Sequence, residues 1–144
     1  MRADGLVLLV GTSKGAFRLL GDPERTRWQV QGPFCDGWPI NHVIGDAESA
    51  TLWAGGGSAF HGAGIWRSED GGESWEALRD GLPQEGCFFT VLRQAMAGDA
   101  RTPAGVYFGT NSGSVFASID EGDTWREVAR HLPTILSLEA LDRG

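Results

Sequence analysis

The octapeptide Ser68-Glu69-Asp70-Gly71-Gly72-Glu73-Ser74-Trp75 returns fifty residues later as Ser118-Ile119-Asp120-Glu121-Gly122-Asp123-Thr124-Trp125, so S-x-D-x-G-x-[ST]-W occurs twice. No other feature restricts the fold as much. Each copy follows a short β-type run, Gly64 to Arg67 and Ser114 to Ala117, and leads into another that begins at the tryptophan. An internal repeat of this size built from short strands predicts an all-β chain whose unit is a four-stranded blade of a β-propeller.

The chemistry of the motif accounts for its letters. A tight turn between antiparallel strands needs a residue at positive φ, which Gly72 and Gly122 supply, and a short acceptor for the turn's N–H groups, which Asp70 and Asp120 supply. Ser68, Ser74, Ser118 and Thr124 add hydroxyls to that network, and Trp75 and Trp125 can cover the turn with an apolar face. A carboxylate whose acceptor sites are filled in this way is poorly placed to titrate or to reach a substrate, so these ten residues are expected to be structural.

On these residues the chain resembles the Asp-box, or BNR-repeat, β-propellers, a family that includes sialidases and many propellers without that activity. A degenerate third copy runs from Asp22 to Trp28, keeping the tryptophan after the run Gly15 to Leu20 but not the glycine. The resemblance therefore covers nearly the whole chain and implies an architecture more firmly than an activity.

Aligned on the repeats, the second strands are Leu6 to Gly11, Thr51 to Gly55 and Gly105 to Gly109, and the third strands are Gly15 to Leu20, Gly64 to Ser68 and Ser114 to Ser118. Fourth strands begin near Arg27, Trp75 and Thr124. Asn41 to Gly45 and Phe88 to Gln94 are first strands, and Thr134 to Leu141 reads as a first strand with no blade behind it. The order is that of three blades per chain in circular permutation. Propellers close with about 4 to 8 blades, so three would leave unpaired edges. Two copies give a six-bladed homodimer in which each Thr134 to Leu141 strand completes the partner's first blade. The alternative is a piece of a longer propeller.

Composition fits a turn-rich β protein: 144 residues with 22 glycines, six tryptophans and seven phenylalanines, and no strong helical period. The formal charge is −7, and the basic residues, a single Lys14 and otherwise arginine, are scattered, which argues against nucleic acid as a partner. The start, Met1 to Gly5, lacks the apolar region of a leader and no stretch reaches membrane-spanning length, so a cytoplasmic protein without membrane partners is expected. Cys35 and Cys87 are too few for a disulfide framework and are expected to be free thiols.

Loop topology then sorts the candidate functional residues. Connections from fourth to first strand and from second to third share the face opposite the octapeptide turns. That face is expected to hold Lys14, Trp38, His42, His61, Phe60 and His131. Trp38, His42, His61 and Lys14 are the candidate ligand-binding set, for a small molecule or carbohydrate near the central channel. The histidines lack metal-ligand spacing, so neither metal nor cofactor is expected. A non-catalytic binding or assembly module is the preferred reading. The alternative, a sialidase-type glycosidase, needs a tyrosine nucleophile with a carboxylate partner and an arginine cluster. Here Tyr107 is expected to be a buried sheet residue, Arg93 and Glu139 to be as readily an ion pair as a catalytic pair, and Asp36, Asp46 and Glu85 to be the rim carboxylates; the catalytic set stays unassigned.

Overall fold

Short apolar runs punctuated by glycine fold into antiparallel hairpins, because each run is too brief for a helix and each break supplies the turn. The computed structural model describes residues 6–46, 49–58, 62–82 and 91–141. Among the described residues eleven strands form three antiparallel sheets. The first contains β1 (Val7–Thr12), β2 (Gly15–Gly21) and β3 (Trp28–Phe34). The second contains β4 (Ile40–Asp46), β5 (Thr51–Ser58), β6 (Gly62–Ser68) and β7 (Glu76–Ala77). The third contains β8 (Val91–Gly98), β9 (Val106–Thr110), β10 (Val115–Ser118) and β11 (Arg126–Ala129). Every sheet keeps its strands in sequence order, a plain meander. No α-helix occurs among the described residues, and no helix there is long and apolar enough to cross a membrane.

Cross-strand register fixes which side chains share a face. Trp53 pairs with Arg67 and Ala54 with Trp66, so period-two alternation sends the first pair toward the third sheet and the second toward the first. Two cores result. One joins Trp53 and Ile65 to Val91, Met96, Phe108, Phe116 and Trp125 between the second and third sheets. Within it Phe108 stacks on Phe116 at 5.1 Å and meets the Trp125 ring edge-on at 5.2 Å. The other joins Ala16 and Cys35 to Ile40, Ala54 and Trp66 between the first and second sheets. Burying a ring of this size against a neighbouring sheet contributes about 1.5–3 kcal/mol by area alone.

The details depart from the sequence expectation at several points. The first sheet, with β1 at its edge, has the three strands, second to fourth, that alignment of the repeats assigns to it within one chain, but elsewhere the structure differs. The segment Thr134 to Leu141 lies in no ladder; the Ile135 N–H donates to the Thr110 carbonyl and the Ile135 side chain covers Gly109. A strand needs a partner edge, and within one chain the edge of β1 lies at the other end of the row. The strand expected from Phe88 to Gln94 runs on to Gly98 across a register shift between Val91 and Met96, and residues 83–90 lie outside the described part. The fourth strand of the second sheet is only Glu76–Ala77.

Candidate functional site

The octapeptide turns are closed networks. The Ser68 hydroxyl donates to Asp70 at 2.8 Å and accepts the Gly72 N–H at 2.8 Å. Asp70 also takes the N–H groups of Glu73 and Ser74 at 3.0 and 2.9 Å and the Ser74 hydroxyl at 2.5 Å. Ser118, Asp120, Gly122 and Thr124 repeat the pattern, with the Thr124 hydroxyl on Asp120 at 2.5 Å. Burial pushes the Asp70 carboxyl up, but the bonds from Ser74, Ser68 and Glu73 outweigh it and hold the group at about 2. Asp120 is lowered by the same balance. Gly71 and Gly72 take φ of 71° and 95°, and Glu121 and Gly122 follow at 61° and 98°. The Trp75 indole donates to the Gly72 carbonyl at 3.1 Å, while Trp125 is buried in the core.

Each turn is also gripped by the preceding sheet. Arg18 on β2 donates to the Gly71 carbonyl at 2.8 Å and, within its own sheet, to Gln31 at 2.8 Å. Arg67 on β6 donates to the Glu121 carbonyl at 3.1 Å, to Asp123 at 2.6 Å and, within its own sheet, to Glu76 at 2.7 Å. The Trp53 indole donates to that same Glu121 carbonyl at 2.8 Å. These two arginine joints were not anticipated. Their one sequence signal is a cation inside an otherwise apolar third strand, Phe17-Arg18-Leu19 and Trp66-Arg67.

On the opposite face the structure brings together the loops that carry Lys14 and Trp38, two of the four candidate ligand residues. Cys35, Asp36 and Gly37 take positive φ of 63°, 55° and 72°, folding a short 3-10 turn against the β1–β2 loop. A Cβ on Gly37 would stand 3.8 Å from the Lys14 carbonyl, and one on Gly15 would stand 3.2 Å from the Gly37 Cα, so no bulky residue separates the loops. Lys14 is exposed there. Trp38, which follows the turn, meets Trp66 edge-on at 5.9 Å over Gly64. The buried Trp66 indole N–H has no partner among the described residues. Asp36 is exposed on this turn. Burial, with Asp36 beside it, pushes the Cys35 thiol up to about 12, so it stays protonated.

His42 lies apart from that pair. It stands on β4 and lines a cavity of about 560 Å³ with Ile44, Met96, Gly98, Ser137 and Glu139. Desolvation lowers its pKa, so the ring is neutral at pH 7. Asn41 beside it donates to the Val91 carbonyl at 2.7 Å and ties β4 to β8. His61, Phe60, Glu85 and Cys87 lie outside the described residues, as does the Arg93 side chain; the Glu139 side of the expected Arg93 pair faces this cavity. His131 takes positive φ of 63° beside Gly113. Asp46 is occupied by the Ser49 hydroxyl at 2.8 Å.

Tyr107 is half-buried rather than buried. Its hydroxyl donates to Asp99 at 2.7 Å, and Asp99 also accepts the N–H groups of Arg101 and Gly105 at 3.0 and 2.8 Å. Burial raises the Asp99 carboxyl, but the Gly105 and Tyr107 bonds prevail and lower it. Among the described residues no three of His, Cys, Asp and Glu gather as a metal site. No protein-family model matches the sequence, and no curated protein matches it significantly.

Proposed function

We propose that the chain is half of a six-bladed Asp-box propeller, a non-catalytic binding and assembly module completed by a second copy of itself. The observation that carries this reading is the distribution of exposed apolar side chains. Leu8 at 40 %, Val30 at 63 %, Ile119 at 76 %, Leu136 at 70 % and Leu141 at 85 % exposure belong to the first sheet, the octapeptide turn of the third sheet and the segment after it. The middle sheet buries Leu52, Trp53, Ile65 and Trp66. A row of sheets covered in the middle and apolar at both ends fits a ring cut in two places. In that ring Thr134 to Leu141 serves as the first strand beside β1 of the partner, a position supported by the cavity that Ser137 and Glu139 share with Met96 and Gly98 of β8.

Light scattering after size exclusion is expected to give twice the 15.4 kDa chain mass, and deletion of residues 134–144 to abolish the doubling. A well-folded monomer overturns the reading. A ligand, for which a carbohydrate or another small polar molecule is the best fit, has two separate places to bind, the loops that carry Lys14 and Trp38 and the cavity lined by the neutral imidazole of His42. Trp38→Ala and His42→Ala are expected to weaken its binding while leaving the dimer intact. The hydrolase alternative draws on the Tyr107–Asp99 pair. An Asp held by two N–H groups on one oxygen, with a lowered pKa, makes a poor base for activating that tyrosine through the other. Turnover of a fluorogenic glycoside panel that vanishes in Tyr107→Phe would reinstate it.

A further inference from the structure

The two joints within the chain define what a third joint requires. In both, an arginine on the third strand meets the carbonyl one residue after the motif aspartate and the carboxylate three residues after it. Arg18 reaches the Gly71 carbonyl at 2.8 Å and Glu73 at 3.6 Å. Arg67 reaches the Glu121 carbonyl at 3.1 Å and Asp123 at 2.6 Å. Register assigns the corresponding place in the third sheet: Arg18 stands opposite Leu9, Arg67 opposite Trp53 and Ala117 opposite Tyr107. The third sheet therefore presents its open face without the arginine.

In place of the arginine is a slot. A cavity of about 690 Å³ opens there, lined by Asp99, Arg101, Tyr107, Ile119, Leu138 and Leu141. It lies at the octapeptide end of the sheet, because the Glu121 N–H donates to the Ala104 carbonyl and ties the 99–105 loop to that end. The first sheet offers a matching turn. Asp22 accepts the Thr26 N–H at 2.7 Å and its hydroxyl at 2.9 Å, the same clamp that Asp70 makes with Ser74. Three residues after Asp22, where the other turns carry Glu73 and Asp123, stands the exposed Arg25 with φ of 60°. Charge is thus transposed at the ends of the row. The cation sits on the turn, and the acids, Asp99 and Glu139, sit in the slot, outnumbering Arg101.

We infer that the slot on the third sheet receives the Asp22–Thr26 turn of a second copy, with Arg25 directed at Asp99 and Glu139 in a joint of reversed polarity. Behind the turn, the open face of the first sheet, Leu8, Leu19 and Val30, closes on Tyr107, Val115 and Ile119. This inference rests on the ring reading above and specifies how its two halves meet.

The test is sedimentation equilibrium of the 144-residue chain and three variants. Ala117→Arg restores the arginine of the other joints but places it against Arg25, and is expected to weaken the dimer roughly tenfold through like-charge contact. Adding Arg25→Glu rebuilds the Arg–carboxylate latch and is expected to return the affinity to that of the parent chain or above. Ala117→Glu, of comparable bulk and opposite sign, is expected to leave the dimer at least as tight. A dimer indifferent to all three, or weakened equally by Ala117→Arg and Ala117→Glu, overturns the docking while leaving the ring reading in place. A monomer at every concentration overturns both.

Discussion

The middle and first sheets are written in the same repeat and fold into the same meander, yet only the middle one is covered on both faces. On it Trp53 and Arg67 serve the joint ahead while Ala54 and Trp66 serve the joint behind. On the first sheet Leu9 and Arg18 likewise serve the joint ahead, where Leu9 approaches Gly45 and Arg18 holds Gly71, but Leu8 and Val30 on its other face remain open. Strand formation therefore follows from each sheet's own sequence, whereas burial is set by its neighbours.

That contrast breaks most readily at the middle sheet's largest anchor. Trp53→Ala removes a side chain 2 % exposed together with its bond to the Glu121 carbonyl, and is expected to cost about 3–5 kcal/mol in chemical denaturation. A loss under about 1 kcal/mol would show that the joint between the second and third sheets contributes little. Arg67→Ala comes next. Removing one partner of a fully buried pair costs about 3–5 kcal/mol, but the Glu69, Glu76 and Asp123 side chains are 66, 57 and 64 % exposed, so about 2–3 kcal/mol is expected. Arg18→Ala, facing a bare glycine carbonyl and a Glu73 that is 69 % exposed, should cost less; equal losses would make the two joints equivalent.

The turns give a smaller effect with a pH signature. Asp70→Asn or Asp120→Asn is expected to cost about 1–2 kcal/mol near neutral pH. Because the folded Asp70 carboxyl sits at about 2, below its ordinary 3.8, its stabilisation is present above the ordinary value and is lost as pH falls through the folded one. The melting-temperature gap between parent and Asp70→Asn should hold steady from about pH 6 to pH 5 and close toward pH 2. A gap independent of pH would mean that the turn is held by its backbone alone. The smallest expected effect on a single chain is that of Val30→Ser, within about 0.5 kcal/mol, since the side chain is 63 % exposed. A larger loss measured at concentrations where the chain is monomeric would show that the open face is already covered.

Strands and turns were legible in the sequence because alternation and glycine punctuation are local. Ser68, Asp70 and Ser74 lie within one turn, so their roles follow from spacing alone. The trailing segment was harder, since Thr134 to Leu141 has the composition of a strand but no edge within its own chain. Loop topology grouped Lys14 with Trp38, and the loops that carry them lie side by side at Gly15 and Gly37. It could not separate His42, whose neighbours Met96, Gly98 and Glu139 come from distant parts of the chain. The joints were illegible for the same reason: nothing near Arg18 in sequence indicates that its guanidinium will find a carbonyl fifty-three residues away.

The clamp at Asp22 shows which letters of the repeat can drift. That turn has lost the motif serine and glycine and gained a residue before its tryptophan, yet Asp22 still holds the Thr26 N–H and hydroxyl. The glycine is one solution to a dihedral requirement, met here by Arg25 at φ of 60°. What all three turns share is an aspartate with a hydroxyl residue four positions on, so D-x-x-x-[ST] between two apolar runs is the grammar of the repeat, and the remaining letters are spelling.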